Sequence, residues 1–190
     1  MIDKLSSLLD RVSNMRSILI LLFLFLVTTM LIFPWVDTFY SPLDAQAHKI
    51  DTQYFYSPDE LYRIIGEYSP EGRRLYAISH ATADVFYPLV YAFFFGCAIT
   101  YCYRRFFKPG HPIQRLHLAP FALMAVDYLE NICLIVLLLL YPARLTWLAV
   151  IASIVTPVKW LISLFTVFLF FVGIFGLLYL WLFRGRNISR

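Results

Sequence analysis

The chain has 190 residues, of which 61% are hydrophobic, 18% aromatic and only 15% charged, with a formal net charge of +4. A soluble domain is about half apolar with roughly a quarter of its residues charged, so this composition and its uninterrupted apolar runs exclude an ordinary soluble domain and indicate a polytopic membrane protein. The basic residues sit in short connections between apolar runs, where they set topology, and not in a patch for nucleic acid.

The first sixteen residues predict an amphipathic helix on the membrane surface. Ile2, Leu5, Leu8, Leu9 and Val12 recur at helical spacing against Asp3, Lys4, Asp10 and Arg11. The apolar run that follows is too long for the core of a secretory signal, so it is read as a retained first span over 17–36, with Pro34 and Trp35 at its far end.

Residues 37–79 are the one sizeable polar segment. Seven acids (Asp37, Asp44, Asp51, Asp59, Glu60, Glu67, Glu71) face four bases (Lys49, Arg63, Arg73, Arg74). Two helix starts are legible there. Ser57-Pro58-Asp59-Glu60 has the arrangement of a capping box, and Ser69-Pro70-Glu71-Gly72 repeats the start without an acid at the third position. The first helix presents Leu61, Tyr62, Ile64 and Ile65 for packing. The second is expected to run unbroken into span 2.

Span 2 is placed at 81–103. Tyr76, His80, Asp84, Tyr87 and Tyr91 recur every three or four residues as a polar-aromatic stripe. Pro88 lies four residues after Asp84, so it frees the Asp84 carbonyl and is expected to kink the helix. A basic turn with Arg104, Arg105, Lys108 and Arg115 leads to span 3 at 118–141. The tight Pro142-Ala143-Arg144 connection makes spans 3 and 4 antiparallel neighbours. From Leu145 to Phe183 there are 39 residues with one charge, Lys159. A straight helix of that length would be about 58 Å long. No polar turn divides it, so the segment reads as one long span, 145–183, kinked near Pro157; a break at Lys159 into two re-entrant pieces is the alternative. The predicted fold is an all-α polytopic bundle of four transmembrane helices with a helical extracytoplasmic loop at 37–79. Positive-inside counting puts both termini in the cytoplasm.

Span 3 carries the chemistry-bearing stretch. Asp127, Glu130 and Asn131 stand at i, i+3 and i+4 and share one helical face. Ionisable groups at membrane depth need a partner, a cavity or a function. Asp127 lies 14 residues from Tyr141, and Lys159 lies 14 residues beyond Leu145 on the antiparallel neighbour. Both are then about 21 Å deep, and the spacing predicts that Lys159 pairs with Asp127, with Glu130 as a second or shared partner. Three readings stay open: a structural ion pair, a ligand or catalytic pocket, and an ion or proton path. Two carboxyls against one lysine leave a surplus of −1, assigned to Glu130.

His80 and Asp84, at i and i+4, form a second constellation, read either as an acid/base pair or as an interfacial histidine satisfied by its neighbour. One histidine with so few acids is too small a ligand set for a metal, and no nucleophile elbow, metalloprotease motif, phosphate loop or CxxC is present. No metal or cofactor is expected. Cys97, Cys102 and Cys133 fall within spans and read as buried apolar side chains. Gly173 and Gly176 allow close helix approach.

Gly72-Arg73-Arg74-x-Tyr76, Asp84-x-Phe86-x-Pro88-x-x-Tyr91, Asp127-x-x-Glu130-Asn131 and Lys159 together resemble a pattern of small four-span membrane proteins of unassigned activity, over about residues 40–165. A second, fainter similarity, on Asp37, Asp84, Pro88 and Tyr91, is to the EXPERA group, which includes sterol isomerases and sigma-2-type receptors. It implies sterol or lipid-amine binding, but the spacing from acid to proline departs from that group and Lys159 has no counterpart there.

The functional expectation is a non-catalytic or ligand-sensing membrane protein. Its polar pocket would lie between spans 2, 3 and 4, open outward past His80 and Asp84, and take a lipidic or amphipathic small molecule. The binding candidates are His80, Asp84, Tyr87, Tyr91, Asp127, Glu130, Asn131 and Lys159. The alternative is a small intramembrane enzyme acting on a lipid or isoprenoid, with Asp84, Asp127 or Glu130 as acid/base. A transporter comes third and would need to dimerise. Expected partners are membrane lipids, and either a second copy or another membrane protein.

Overall fold

A computed structural model describes residues 2–40, 48–50, 52–108 and 110–184. Asp44 and Asp51, used above, lie outside the described residues, as do the side chains of Ile2 and Asp37. Among the described residues every regular element is helical. In order it forms α1 (Ile2–Val12), α2 (Met15–Val27), a π-helical turn (Thr28–Ile32), α3 (Phe33–Tyr40), α4 (Pro58–Glu67), α5 (Pro70–Ala81), α6 (Ala83–Tyr103), a 3-10 turn (Pro112–Leu118), α7 (Ala119–Leu140) and α8 (Thr146–Arg184). Among the described residues, four helical stretches are long and apolar enough to cross a membrane: Met15–Val36, Pro70–Tyr103, Pro112–Leu140 and Thr146–Phe183. The protein is an all-α membrane bundle of four helices.

Span 1 extends further than its sequence suggests. Pro34 does not end it, because the π turn just before takes up the register change: the Phe33 N–H bonds five residues back to Thr28. The helix then continues to Tyr40.

The loop helices start where their caps predict. The Ser57 hydroxyl accepts from the Glu60 N–H at 3.2 Å and that of Ser69 from the Gly72 N–H at 3.1 Å. Leu61, Tyr62, Ile64 and Ile65 of α4 are buried in one apolar cluster with Leu134, Leu137 and Leu138 of α7 and Leu148, Ala149 and Ala152 of α8. This end of the bundle is tied further by Tyr62, whose hydroxyl accepts from the Leu145 N–H at 2.6 Å.

One expectation is corrected here. The helix from Pro70 does not run unbroken into span 2: α5 ends at Ala81 and Thr82 leaves helical geometry (φ −123°, ψ −81°). The cause is local. The Ser79 and Thr82 hydroxyls bond back to the carbonyls of Tyr76 (2.8 Å) and Ile78 (2.7 Å), and the Thr82 N–H takes the Ser79 carbonyl at 3.2 Å. These short back-bonds compete with the regular ladder and tighten the last turn. The chain, by contrast, stays helical through Pro88. Helix α1, expected as an amphipathic helix, also docks on the bundle. Leu9 is fully buried, the Ser6 hydroxyl lies 2.9 Å from His117 Nε2, and the Arg104 guanidinium donates to the Asp10 carbonyl at 2.5 Å.

Helix α8 is continuous over 39 residues with Pro157 inside it, so the re-entrant alternative is excluded. It packs on α7, α6 and α4. Gly173 makes the crossing with α6 close: a Cβ there would lie 2.8 Å from Cys102 Cβ.

Candidate functional site

Helices α6, α7 and α8 bring the intramembrane polar groups to one place. At its centre stands Lys159, whose Nζ hydrogen-bonds Glu130 Oε2 and lies 3.8 Å from Asp127 Oδ1. The order of partners is the reverse of the sequence expectation. Glu130 is fully buried, and its other oxygen accepts from the Thr156 hydroxyl at 2.5 Å. Thr156 and Lys159 are themselves at i and i+3, so one face of α8 supplies two donors that clasp one carboxylate. A buried carboxylate needs such full satisfaction.

Asp127 is therefore the less engaged acid. Its Oδ2 accepts from the Tyr91 hydroxyl at 3.0 Å, and its side chain keeps 17% of its surface accessible where that of Glu130 keeps none. The surplus carboxyl assigned to Glu130 from sequence is Asp127 in the structure.

Asn131 acts on the backbone. Its side-chain amide donates to the Asp84 carbonyl at 3.2 Å. That carbonyl would have bonded the N–H of residue 88, which proline lacks. One turn away, the Tyr128 hydroxyl donates to the Val85 carbonyl at 2.7 Å. The irregular start of α6 is thus held by two side chains of α7.

His80 Nδ1 lies 2.7 Å from Asp84 Oδ2, and the imidazole stacks on Tyr76 with ring centroids 4.7 Å apart. His80 is buried and does not reach the wall of the cavity described next.

A partly open cavity of about 470 Å³ lies against this cluster. Asp84, Tyr87, Tyr91, Asp127, Asn131 and Lys159 reach its wall, whereas His80 and Glu130 stand behind it. The opposite wall was not anticipated: Phe25, Thr29, Phe33 and Val36 of span 1. They follow one another at four, four and three residues, a single helical face, but an apolar face looks the same whether it meets lipid or a cavity.

The loop also contributes more than its sequence suggests. Residues 48–50 and 52–56 form a strap over the loop end of the bundle. The Ile50 N–H donates to the Tyr76 hydroxyl at 3.1 Å, the Trp160 indole N–H to the Gln53 carbonyl at 2.9 Å, and the hydroxyls of Tyr56 and Thr156 lie 2.8 Å apart. Lys49 and Thr52 of the strap line the cavity. Outside the membrane, Glu67 anchors the strap by accepting from the His48 N–H at 3.1 Å and contacting its ring at 2.8 Å. No sequence signal marks Tyr56 or Lys49. Thr156 has a faint one, its place beside Pro157 and three residues before Lys159.

Among the described residues, no group of three or more His, Cys, Asp or Glu side chains is placed to hold a metal ion. Chemically the cavity offers an acid with free acceptor capacity, a lysine committed to another acid, and an aromatic wall. No family model matches the chain, and neither a curated protein nor a solved structure matches it.

Proposed function

We propose that this membrane protein is a non-catalytic binder or sensor of a lipidic or amphipathic molecule, held in the cavity between span 1 and α6, α7 and α8. One observation carries the reading: a cavity of about 470 Å³ has an aromatic wall on one side and Asp84, Asp127, Asn131 and Lys159 on the other. That size and that mixture of apolar lining with a few converging polar groups suit a small amphiphile. A purely structural ion pair would need no such space, since Glu130, Thr156 and Lys159 already satisfy one another.

The test is mass spectrometry of lipids that co-purify with the protein in mild detergent, set against Leu123→Trp, which fills the cavity and spares the polar wall. An enriched species in the wild type that disappears in the variant supports the reading. Identical lipid profiles overturn it.

A second reading, an intramembrane enzyme acting on a lipid or isoprenoid, is favoured by one feature. Asp84 and Asp127 both face the cavity, and Asp127 has a phenol at 3.0 Å and an ammonium at 3.8 Å, within the reach that acid/base chemistry requires. Conversion of the co-purified lipid on prolonged incubation, lost in Asp127→Asn, would decide for it. We also place both termini in the cytoplasm, on the basic lead and the basic 104–115 turn; protease access to a tag at either end of the chain in sealed vesicles tests this.

A further inference from the structure

The packing around the cavity leaves a seam. Span 1 packs on α6 and, through α3, on α5, whereas α8 packs on α6, α7 and α4; among the described residues, span 1 and α8 share at most marginal contact. Both nevertheless line the cavity, with Thr29 and Phe33 on one side and Ser163 and Val167 on the other. The seam is therefore a line along which the cavity meets the outer surface of the bundle. The side chains outside it are apolar and exposed, Met30 and Leu31 on span 1 and Leu161 and Leu164 on α8, and belong in hydrocarbon.

Among the described residues, side chains cross both ends of the cavity. At the loop end the strap is fastened by Gln53 to Trp160 and by Tyr56 to Thr156. At the opposite end Phe94 stacks on Phe25 with centroids 5.4 Å apart and reaches Phe170 at 5.8 Å, bridging span 1 and α8.

We infer that a bilayer lipid enters the cavity sideways through the seam between span 1 and α8 and presents a hydroxyl head group to Asp127. This deepens the ligand-binding reading and rests on it. The head group follows from the wall. Both Glu130 oxygens are occupied and Lys159 is committed to Glu130, while Asp127 has one oxygen bonded to Tyr91 and the other only 3.8 Å from the lysine. A carboxylate accepts about four hydrogen bonds, so the open valence on the wall calls for a donor. An apolar seam opposes the passage of a full charge far more than that of a hydroxyl, which favours a neutral alcohol such as a diacylglycerol over an ammonium or phosphate head.

The experiment is photocrosslinking in phosphatidylcholine nanodiscs containing a diacylglycerol with a diazirine in one acyl chain, mapped by mass spectrometry. Label is expected on inner Leu123 and Phe95 as well as on outer Leu161 and Phe165. Ser163→Trp, which narrows the seam, should cut inner labelling about tenfold and leave outer labelling unchanged, so that the outer sites report a folded bundle. Methylating the lipid hydroxyl should lower inner labelling by about tenfold in the wild type, the value of one hydrogen bond to a charged group. Inner labelling that is indifferent to both changes overturns the inference. A short-chain, water-soluble diazirine amphiphile separates the two levels. If it labels Leu123 equally in wild type and Ser163→Trp while the diacylglycerol does not label it, the cavity reading stands and lateral entry falls. If neither probe labels Leu123, both fall.

Discussion

The side-chain amide of Asn131 donates to the main-chain carbonyl of Asp84 at 3.2 Å, across the interface of α6 and α7. Pro88 had removed that carbonyl's helical partner. Proline and asparagine thus form a matched pair on different helices. Asn131→Ala should leave a half-buried carbonyl unsatisfied and cost about 1 kcal/mol, measured as unfolding in mild detergent. Pro88→Ala restores an N–H, so the asparagine loss should be smaller in that background. Equal losses in both backgrounds would refute the pairing.

The two carboxyls of α7 should respond unequally. Glu130→Gln removes the closest partner of a lysine with a 12% accessible side chain, leaving Asp127 at 3.8 Å. Breaking a buried pair from one side costs about 3–5 kcal/mol. Asp127→Asn keeps the Glu130–Lys159 contact and loses less, about 1 kcal/mol. Replacing both members of the pair, as in Glu130→Leu with Lys159→Met, should recover most of the stability lost by Glu130→Gln. Unfolding curves of the four proteins decide the matter, and equal damage from the two single carboxyl variants would contradict the assigned order.

Much of this site was legible because it is built from short periodicities. The three- and four-residue spacing of Asp127, Glu130 and Asn131 placed them on one face, and equal depth on antiparallel neighbours brought Lys159 to them. Depth alone resolves position only to about a helical turn, roughly 5 Å. It could not choose between two acids one turn apart, and the choice fell to Thr156. The strap lay beyond such reasoning: Tyr56 meets Thr156 100 residues away and Trp160 meets Gln53 107 away, with no periodic pattern to announce either contact. The docking of α1 through Ser6 and His117, 111 residues apart, has the same character. The break at Thr82 was hidden for another reason. Serine and threonine are ordinary helix residues until their hydroxyls turn back on the chain.

The strap's anchor should be sensitive to acid. The Glu67 carboxyl is held below its ordinary value of 4.5, first by the hydrogen bond from the His48 side chain; partial burial opposes this, and the His48 N–H and the charges of His48 and Arg63 assist it. A carboxyl whose folded pKa is depressed stabilises the fold above its unfolded pKa and loses that contribution as pH falls through the folded value. Protection of the amides of residues 52–56 against hydrogen exchange, corrected for intrinsic rates, should thus fall as the pH is lowered below about 4.5. Glu67→Gln should lower protection already at neutral pH and flatten the acid response. An unchanged acid response in that variant would place the sensitivity elsewhere.

The last prediction concerns how tightly α8 lies on α6. At Gly173 an added Cβ would meet Cys102 Cβ at 2.8 Å and its Sγ at 3.2 Å. The Cys102 Cβ is fixed to the α6 backbone, so Gly173→Ala must push the helices apart. Overpacking of this kind costs about 1–3 kcal/mol, more than the helix-propensity gain of roughly 1 kcal/mol from replacing glycine. At Gly176 the added Cβ would meet Phe106 Cζ at 2.7 Å, the far end of a half-buried ring that can swing aside. Gly176→Ala should therefore be close to neutral, because ring movement and propensity gain offset each other. Thermal unfolding of the two variants in the same detergent provides the comparison. If Gly176→Ala proves as damaging as Gly173→Ala, Phe106 is as immobile as a backbone contact and the assigned difference between the two glycines fails.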